Sequence, residues 1–189
     1  MVFPEICQLD TPRLRLRKLR LDDASLYYSR IGSRQEITKN MLWEPHRTPE
    51  ESEASIRKAL QRYSRGSCYR WAIAMKDDDS IIGIIELLRF DTADSSCSFA
   101  YMLCPEFWDM GYGTEALRAV IAFAFSRMEV QRIEADHFAD NPASGAVMRK
   151  AGMRYLGVEP AKYEKNSRKI DAECYLLRRS EWRENDDHK

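Results

Sequence analysis

Opposite charges cancel in this chain, since 30 Lys and Arg face 30 Asp and Glu across 189 residues. Without a net field there is no electrostatic reason to seek nucleic acid or an anionic membrane. Long apolar runs are missing as well. The longest, Ala119–Phe125, is far too short to span a bilayer. The first residues include Pro4, Glu5 and Asp10 and hold no apolar core of a secretory signal. Histidine is scarce: His46, His137 and His188 are scattered and lack metal-ligand spacing. The five cysteines (Cys7, Cys68, Cys97, Cys104, Cys174) are odd in number and contain no Cys-x-x-Cys pair. Neither a disulfide framework nor a zinc site is expected. No repeat, linker or low-complexity stretch divides the chain. These absences lead us to expect one domain over residues 1–189, soluble and cytoplasmic, monomeric or homodimeric, with no metal and no nucleic-acid or membrane partner. The charged stretch after about residue 183 reads as a frayed tail.

What is present is enough for a core, with 44% hydrophobic and 11% aromatic residues. Arg13, Arg15, Arg17 and Arg20 alternate with Leu14, Leu16 and Leu19, which predicts a strand with one wet face. Asp22 or Asp23 should cap a helix through Leu26, Tyr27 and Ile31 that ends near Gly32. Residues 34–47 look irregular and carry Met41, Leu42 and Trp43. Such apolar loop residues either pack on the core or line a substrate cleft. Thr48-Pro49-Glu50-Glu51 reads as a capping box opening a helix that Gly66 stops. Strands follow at Tyr69–Met75, Ile81–Phe90 and up to Leu103, separated by short polar turns and so antiparallel. After a long helix come a strand Ile133–Phe138, a helix from about Pro142 to Ala151 closed by Gly152, and strands at Tyr155–Glu164 and Lys169–Leu177. This order is mixed α/β.

The chain is organised around the stretch from Phe99 to Met128. An apolar strand, Phe99-Ala100-Tyr101-Met102-Leu103, leads into a loop ending Met110-Gly111-Tyr112-Gly113-Thr114. Leu117, Val120, Ile121, Ala124, Phe125 and Met128 then recur at helical spacing. A helix that begins at a glycine loop offers unpaired N–H groups and the positive end of its dipole, a site for phosphate. The simpler reading is a turn that starts a core helix. Gly111-Tyr112-Gly113-Thr114-Glu115-Ala116 also fits a loose dinucleotide fingerprint, with Glu134 23 positions after Gly111. Against it, the residues Cys104–Met110 separate strand from glycines, and the glycines follow a meander instead of opening the fold.

With these pieces in order, the chain resembles the GNAT acyltransferase superfamily and, within it, the ribosomal-protein N-acetyltransferase (RimJ/RimL-like) branch. The matching pieces span most of the chain. They include Thr11-Pro12-Arg13-Leu14-Arg15-Leu16-Arg17, Trp43-Glu44-Pro45, Gly111-Tyr112-Gly113-Thr114-Glu115-Ala116, Asp140-Asn141-Pro142-Ala143-Ser144 and Glu181-Trp182. The resemblance implies a GNAT fold, α/β (α+β), with a mostly antiparallel sheet of about seven strands and about four helices. It implies acetyl-CoA as co-substrate. Backbone of Tyr101, Met102 and Leu103 would pair with the pantetheine arm, and amides of Met110, Gly111, Tyr112, Gly113 and Thr114 would hold the pyrophosphate. Asn141 would bond the pantetheine and Ser144 would sit near the sulfur. Asn141 also reads as a helix cap before Pro142, and Ser144 as a first-turn hydroxyl bonding its own backbone.

Three departures from the family pattern matter. The Arg or Gln expected before the glycines falls on Trp108, the tyrosine often proposed as general acid falls on Met148, and a strand carboxylate falls on Ser98. The acid role therefore passes to Ser144 or water. Glu86, set among Ile84, Ile85, Leu87 and Leu88, is a candidate base, since desolvation there would raise its pKa. It reads equally as a strand residue paired with an arginine, and Glu134 is the second candidate. An α-amine titrates near roughly 8, so a protein N-terminus needs only modest base help. The resemblance thus implies acetyl transfer to a protein or peptide N-terminus, with Trp43 and Glu86 shaping the acceptor pocket. The alternatives are a small-molecule amine as acceptor, or a CoA-binding module without catalysis.

Overall fold

Alternation builds the centre of the sheet. Along β3 (Tyr69–Met75), Trp71 and Ile73 enter one hydrophobic layer and Ala72 the other. The computed structural model describes residues 1–183, so the expected tail lies outside the described residues. The other strands are β1 (Leu9–Asp10), β2 (Leu14–Arg17), β4 (Ile81–Asp91), β5 (Ser96–Leu103), β6 (Arg132–Phe138), β7 (Arg154–Lys165) and β8 (Arg168–Arg178). They form one sheet in the order β1-β2-β3-β4-β5-β6-β8-β7. Among the described residues only β5 and β6 pair in parallel. The mixed, mostly antiparallel arrangement is the expected one with an eighth strand. That strand, β1, has two residues and so shows no periodicity.

Among the described residues five α-helices accompany the sheet: α1 (Ala24–Tyr27), α2 (Gln35–Thr38), α3 (Pro49–Ser64), α4 (Tyr112–Arg127) and α5 (Pro142–Lys150). Leu117, Val120, Ile121 and Ala124 of α4 pack on one face with Trp71, Ile85 and Leu103. Tyr27, Ile56 and Ala59 close the other face over Ala72, Ile84 and Met102. At both expected helix starts the capping residue holds its position without a side-chain cap bond, Asp23 at α1 and Thr48 at α3. The first helix opens as a 3₁₀ turn, Leu21–Asp23, with Arg20 at its cap, and ends as a π-helical turn, Tyr28–Gly32. At α3, Thr48 holds the cap position but its hydroxyl makes no cap bond. Glu51 reaches one residue further back, to the Arg47 N–H (2.8 Å), so the capping box is not formed.

Asp23 joins a buried ion pair to the capping of the 3₁₀ turn. Its carboxylate takes both Arg17 Nη atoms at 2.8 Å, with the two side chains 5% and 7% exposed. It also accepts the Arg20 N–H (2.7 Å). Removing one partner of a buried pair strands the other, so Asp23→Ala is expected to cost about 3 kcal/mol. Asp79, 3.1 Å from Arg17 Nε, remains as partial compensation. Urea unfolding should show a lower midpoint with an unchanged slope.

Candidate active site

Gly111 begins the site because of its backbone. It caps α4 at φ +82°, a left-handed conformation open to glycine. The first bond of the helix is Glu115 N–H to Gly111 C=O (3.0 Å), which leaves the amides of Tyr112, Gly113 and Thr114 ahead of it. The departure at Trp108 has a structural use: its indole N–H bonds the Leu103 carbonyl (2.7 Å) and folds the loop back onto β5. The cation at this loop comes from elsewhere, which sequence reading missed. Arg13 donates to the Met110 carbonyl (3.0 Å) and to Glu115 Oε2 (2.7 Å), and stacks on Tyr112 at 4.2 Å. Burial alone would raise the pKa of Glu115. The Thr11 hydroxyl and the Arg13 amide and guanidinium instead hold it below the usual range.

Beside the loop the sheet opens. β5 and β6 share only the pairs Ser96↔Arg132, Cys97↔Ile133 and Ser98↔Glu134. From Phe99 onward β5 turns its free edge toward a cleft of about 520 Å³ lined by Tyr101, Met102, Leu103, Gly111, Gly113 and Thr114. Met110 and Tyr112 contribute side chains to other surroundings, Met110 being exposed and Tyr112 lying under Arg13. A second cavity of about 220 Å³ holds Trp43, Glu86 and Ser98. Tyr101, Met102, Asn141 and Ser144 line both, so the two lobes meet there. The larger lobe has the size of a cofactor site and joins free strand edge to helix N-terminus. An extended amide chain ending in phosphates, as in acetyl-CoA, matches that donor set.

At the junction, α5 is held close by Gly145. A Cβ there would meet His137 Nε2 and the Tyr175 hydroxyl at 2.7 Å each, so no larger residue lets the helix approach. Asn141 occupies the helix cap but makes no side-chain cap bond. Its Nδ2 donates to Ser144 Oγ (2.9 Å), and the Tyr101 hydroxyl donates to the same oxygen (3.3 Å). With Asn141 and Tyr101 donating to Ser144 Oγ, the serine's own proton is available for a further partner. Burial pushes the Tyr101 phenol up, and the Ser144 contact opposes that shift. Met148 is buried in the core. Reading Tyr101 for its backbone alone overlooked this phenol.

The acceptor side brings together some expected residues and parts others. Trp43 lines the smaller lobe and stacks near His46 (centroids 5.3 Å). Glu86 lines it too, but Arg70 Nε stands 4.0 Å away, so the carboxylate is matched by a cation instead of being desolvated alone. Glu134 faces outward, tied to Arg132 (2.8 Å) with its side chain 54% exposed, and belongs to neither lobe. Lys165, not singled out in the sequence, donates to the carbonyls of Thr38 (2.7 Å) and Met41 (2.9 Å), pinning the 38–43 loop to β7. Among the described residues no cluster of three or more His, Cys, Asp or Glu forms a metal site, and no helix is long and apolar enough to cross a membrane.

Known proteins share this architecture. A protein from Vibrio cholerae assigned as a ribosomal-protein-serine acetyltransferase superposes with a TM-score of 0.81 at 22% identity, covering 94% of this chain and 99% of that one. The microcin C7 self-immunity acetyltransferase MccE, solved with acetyl-CoA and AMP, gives 0.79 at 20% identity over 89% and 93%. These likenesses bear on the fold. The uncharacterised N-acetyltransferase YoaA of Bacillus subtilis (strain 168) is 28% identical over 169 residues, 89% of this chain and 95% of YoaA. The family model described as the acetyltransferase (GNAT) domain matches residues 13–154. A glycine loop capping α4, a strand parted from its neighbour and a match over most of the chain agree, and the chain belongs to the GNAT acetyltransferase family.

Proposed function

We propose that this enzyme acetylates the N-terminal α-amine of a protein or peptide. The coarser part needs no proposal: it is an N-acetyltransferase, its co-substrate is acetyl-CoA and its acceptor is an amine. The observation that carries the reading is the meeting of two lobes at Ser144. The larger lobe, with the edge of β5 and the amides of Gly111, Gly113 and Thr114, takes the donor. The smaller lobe, with Trp43 and Glu86, takes the acceptor.

When bound, acetyl-CoA supplies a thioester carbonyl at that junction. A neutral amine nitrogen forms the C–N bond, the C–S bond breaks, and the amine proton leaves through Glu86 or water. Ser144 gives the proton that the departing sulfur needs, Tyr101 refills Ser144 along their hydrogen bond, and water in the cleft returns a proton to Tyr101. Asn141 fixes the Ser144 oxygen in place. In this role Glu86 acts as a relay toward solvent, consistent with its ion pair.

Thiol release from acetyl-CoA, followed over a panel of N-terminal peptides, α-blocked lysine peptides and small amines, tests the acceptor. Peptides with a free α-amine should be turned over and their α-acetylated forms should not. Turnover confined to small amines would overturn the peptide reading and leave the family assignment standing. Acetyl-CoA binding without turnover of any amine would favour the binding-module alternative.

A further inference from the structure

The far end of β4 breaks its own alternation. Between the pairs Leu88↔Ser98 and Asp91↔Ser96, β4 uses one residue more than β5. Arg89 absorbs the excess at φ +51°. A left-handed backbone is costly for a residue with a Cβ. An uninterrupted strand would send Arg89 to the face opposite Glu86 and Leu88. Instead Glu86, Leu88 and Arg89 all line the smaller lobe. Phe90 takes the α4-side place, edge-on to Tyr69. Bulges beside active sites re-aim side chains in this way.

The guanidinium so placed is held loosely, by two long hydrogen bonds to Tyr163 and a long ion pair with Asp136. Both Arg89 Nη atoms stand 3.4 Å from the Tyr163 hydroxyl oxygen, and Nη1 is 3.7 Å from Asp136 Oδ2. The side chain is 56% exposed. Asp136 already takes the Tyr163 proton (2.6 Å) and pairs with Lys162 (3.2 Å). Glu86 faces Arg70. Arg70 and Lys162 stand outside the lining, so each lining carboxylate has a cation behind it. Arg89 is the single Lys or Arg in the lobe's lining among the described residues.

We propose that Arg89 reads a carboxylate on the acceptor, so that the substrate class is an α-amine whose first or second residue is acidic. This rests on the smaller lobe being the acceptor site. A guanidinium offers a carboxylate two parallel N–H bonds, which fixes the amine relative to Ser144 as well as binding it. Basic and polycationic amines meet like charge at the same place.

Two isosteric peptide pairs test this: Asp-Ala-Phe against Asn-Ala-Phe, and Ser-Asp-Phe against Ser-Asn-Phe, each amidated at its C-terminus. The wild type should prefer the acid of at least one pair in kcat/KM by about tenfold or more. Arg89→Gln should bring that ratio near one, Arg89→Lys should keep part of it, and Arg89→Glu should shift preference to a lysine-bearing peptide. The acetyl-CoA-induced rise in Tm of each variant reports that it is folded. Equal turnover of acid and amide in both pairs overturns the proposal, as does a preference that survives Arg89→Gln. No thiol release with any amine overturns the acceptor reading itself, a result distinct from turnover without discrimination.

Discussion

Replacing Gly111 and Gly113 together by valine is expected to abolish the stabilisation that acetyl-CoA gives the protein. A ligand at about 100 times its Kd adds roughly 2.7 kcal/mol, which in a domain of this size is a rise in Tm of about 5–10 °C. The two glycines act differently. At Gly111, φ +82° makes any Cβ a strain of about 1–2 kcal/mol, so the loop itself would change shape. At Gly113 a Cβ would lie 3.5 Å from Tyr101 Cε2 and 3.6 Å from a Val147 methyl, which is ordinary contact. Gly113→Ala should therefore keep its intrinsic stability, and what it loses in the ligand shift measures room taken from the cleft. A double variant that still shows the wild-type shift would remove the glycine loop from the donor site.

Ser144→Ala should lower kcat by about 10²-fold or more, the usual range for a lost proton donor, with little change in the KM for acetyl-CoA. The reason is geometric: Ser144 Oγ accepts from both Asn141 and Tyr101, which leaves its own proton for the departing sulfur. Tyr101→Phe should lose less, on the order of tenfold, since water can refill Ser144. Because the two act in series, the double variant should be no slower than Ser144→Ala alone, a non-additivity that a purely structural role would not produce. Rates within about threefold of wild type for Ser144→Ala would remove the serine from proton transfer.

Much of this molecule can be read from its residues, and the parts that cannot share a cause. The bounds of β3 follow from its alternation, and those of α4 from apolar spacing after a glycine turn. Asn141 and Ser144 sit where Pro142 and Gly152 frame a short helix. What escaped depends on contacts between distant segments. Arg13 looks like a wet-face strand residue until the fold lays it over the glycine loop. Lys165 is one charge in a hairpin until two carbonyls of the 38–43 loop surround it. The bulge at Arg89 is hidden because β4 is apolar on both faces up to Leu88, so no strict alternation marks the shift that brings Phe90 into the core layer of Leu87. Glu86 lines the smaller lobe, but Arg70, its ion-pair partner, lies on the neighbouring strand.

The three-rung seam between β5 and β6 has a mechanical side. A sheet parted near its middle should behave as two plates, β1–β5 and β6–β8, joined at one corner. Here α4 acts as a beam across the parting: its side chains share one core with Leu16 and Trp71 on the first plate and with Ile133 and Leu177 on the second. On that packing, load should pass through the helix when the slot is filled. The beam also starts at Gly111, so the part that braces the two plates is the part whose end faces the slot.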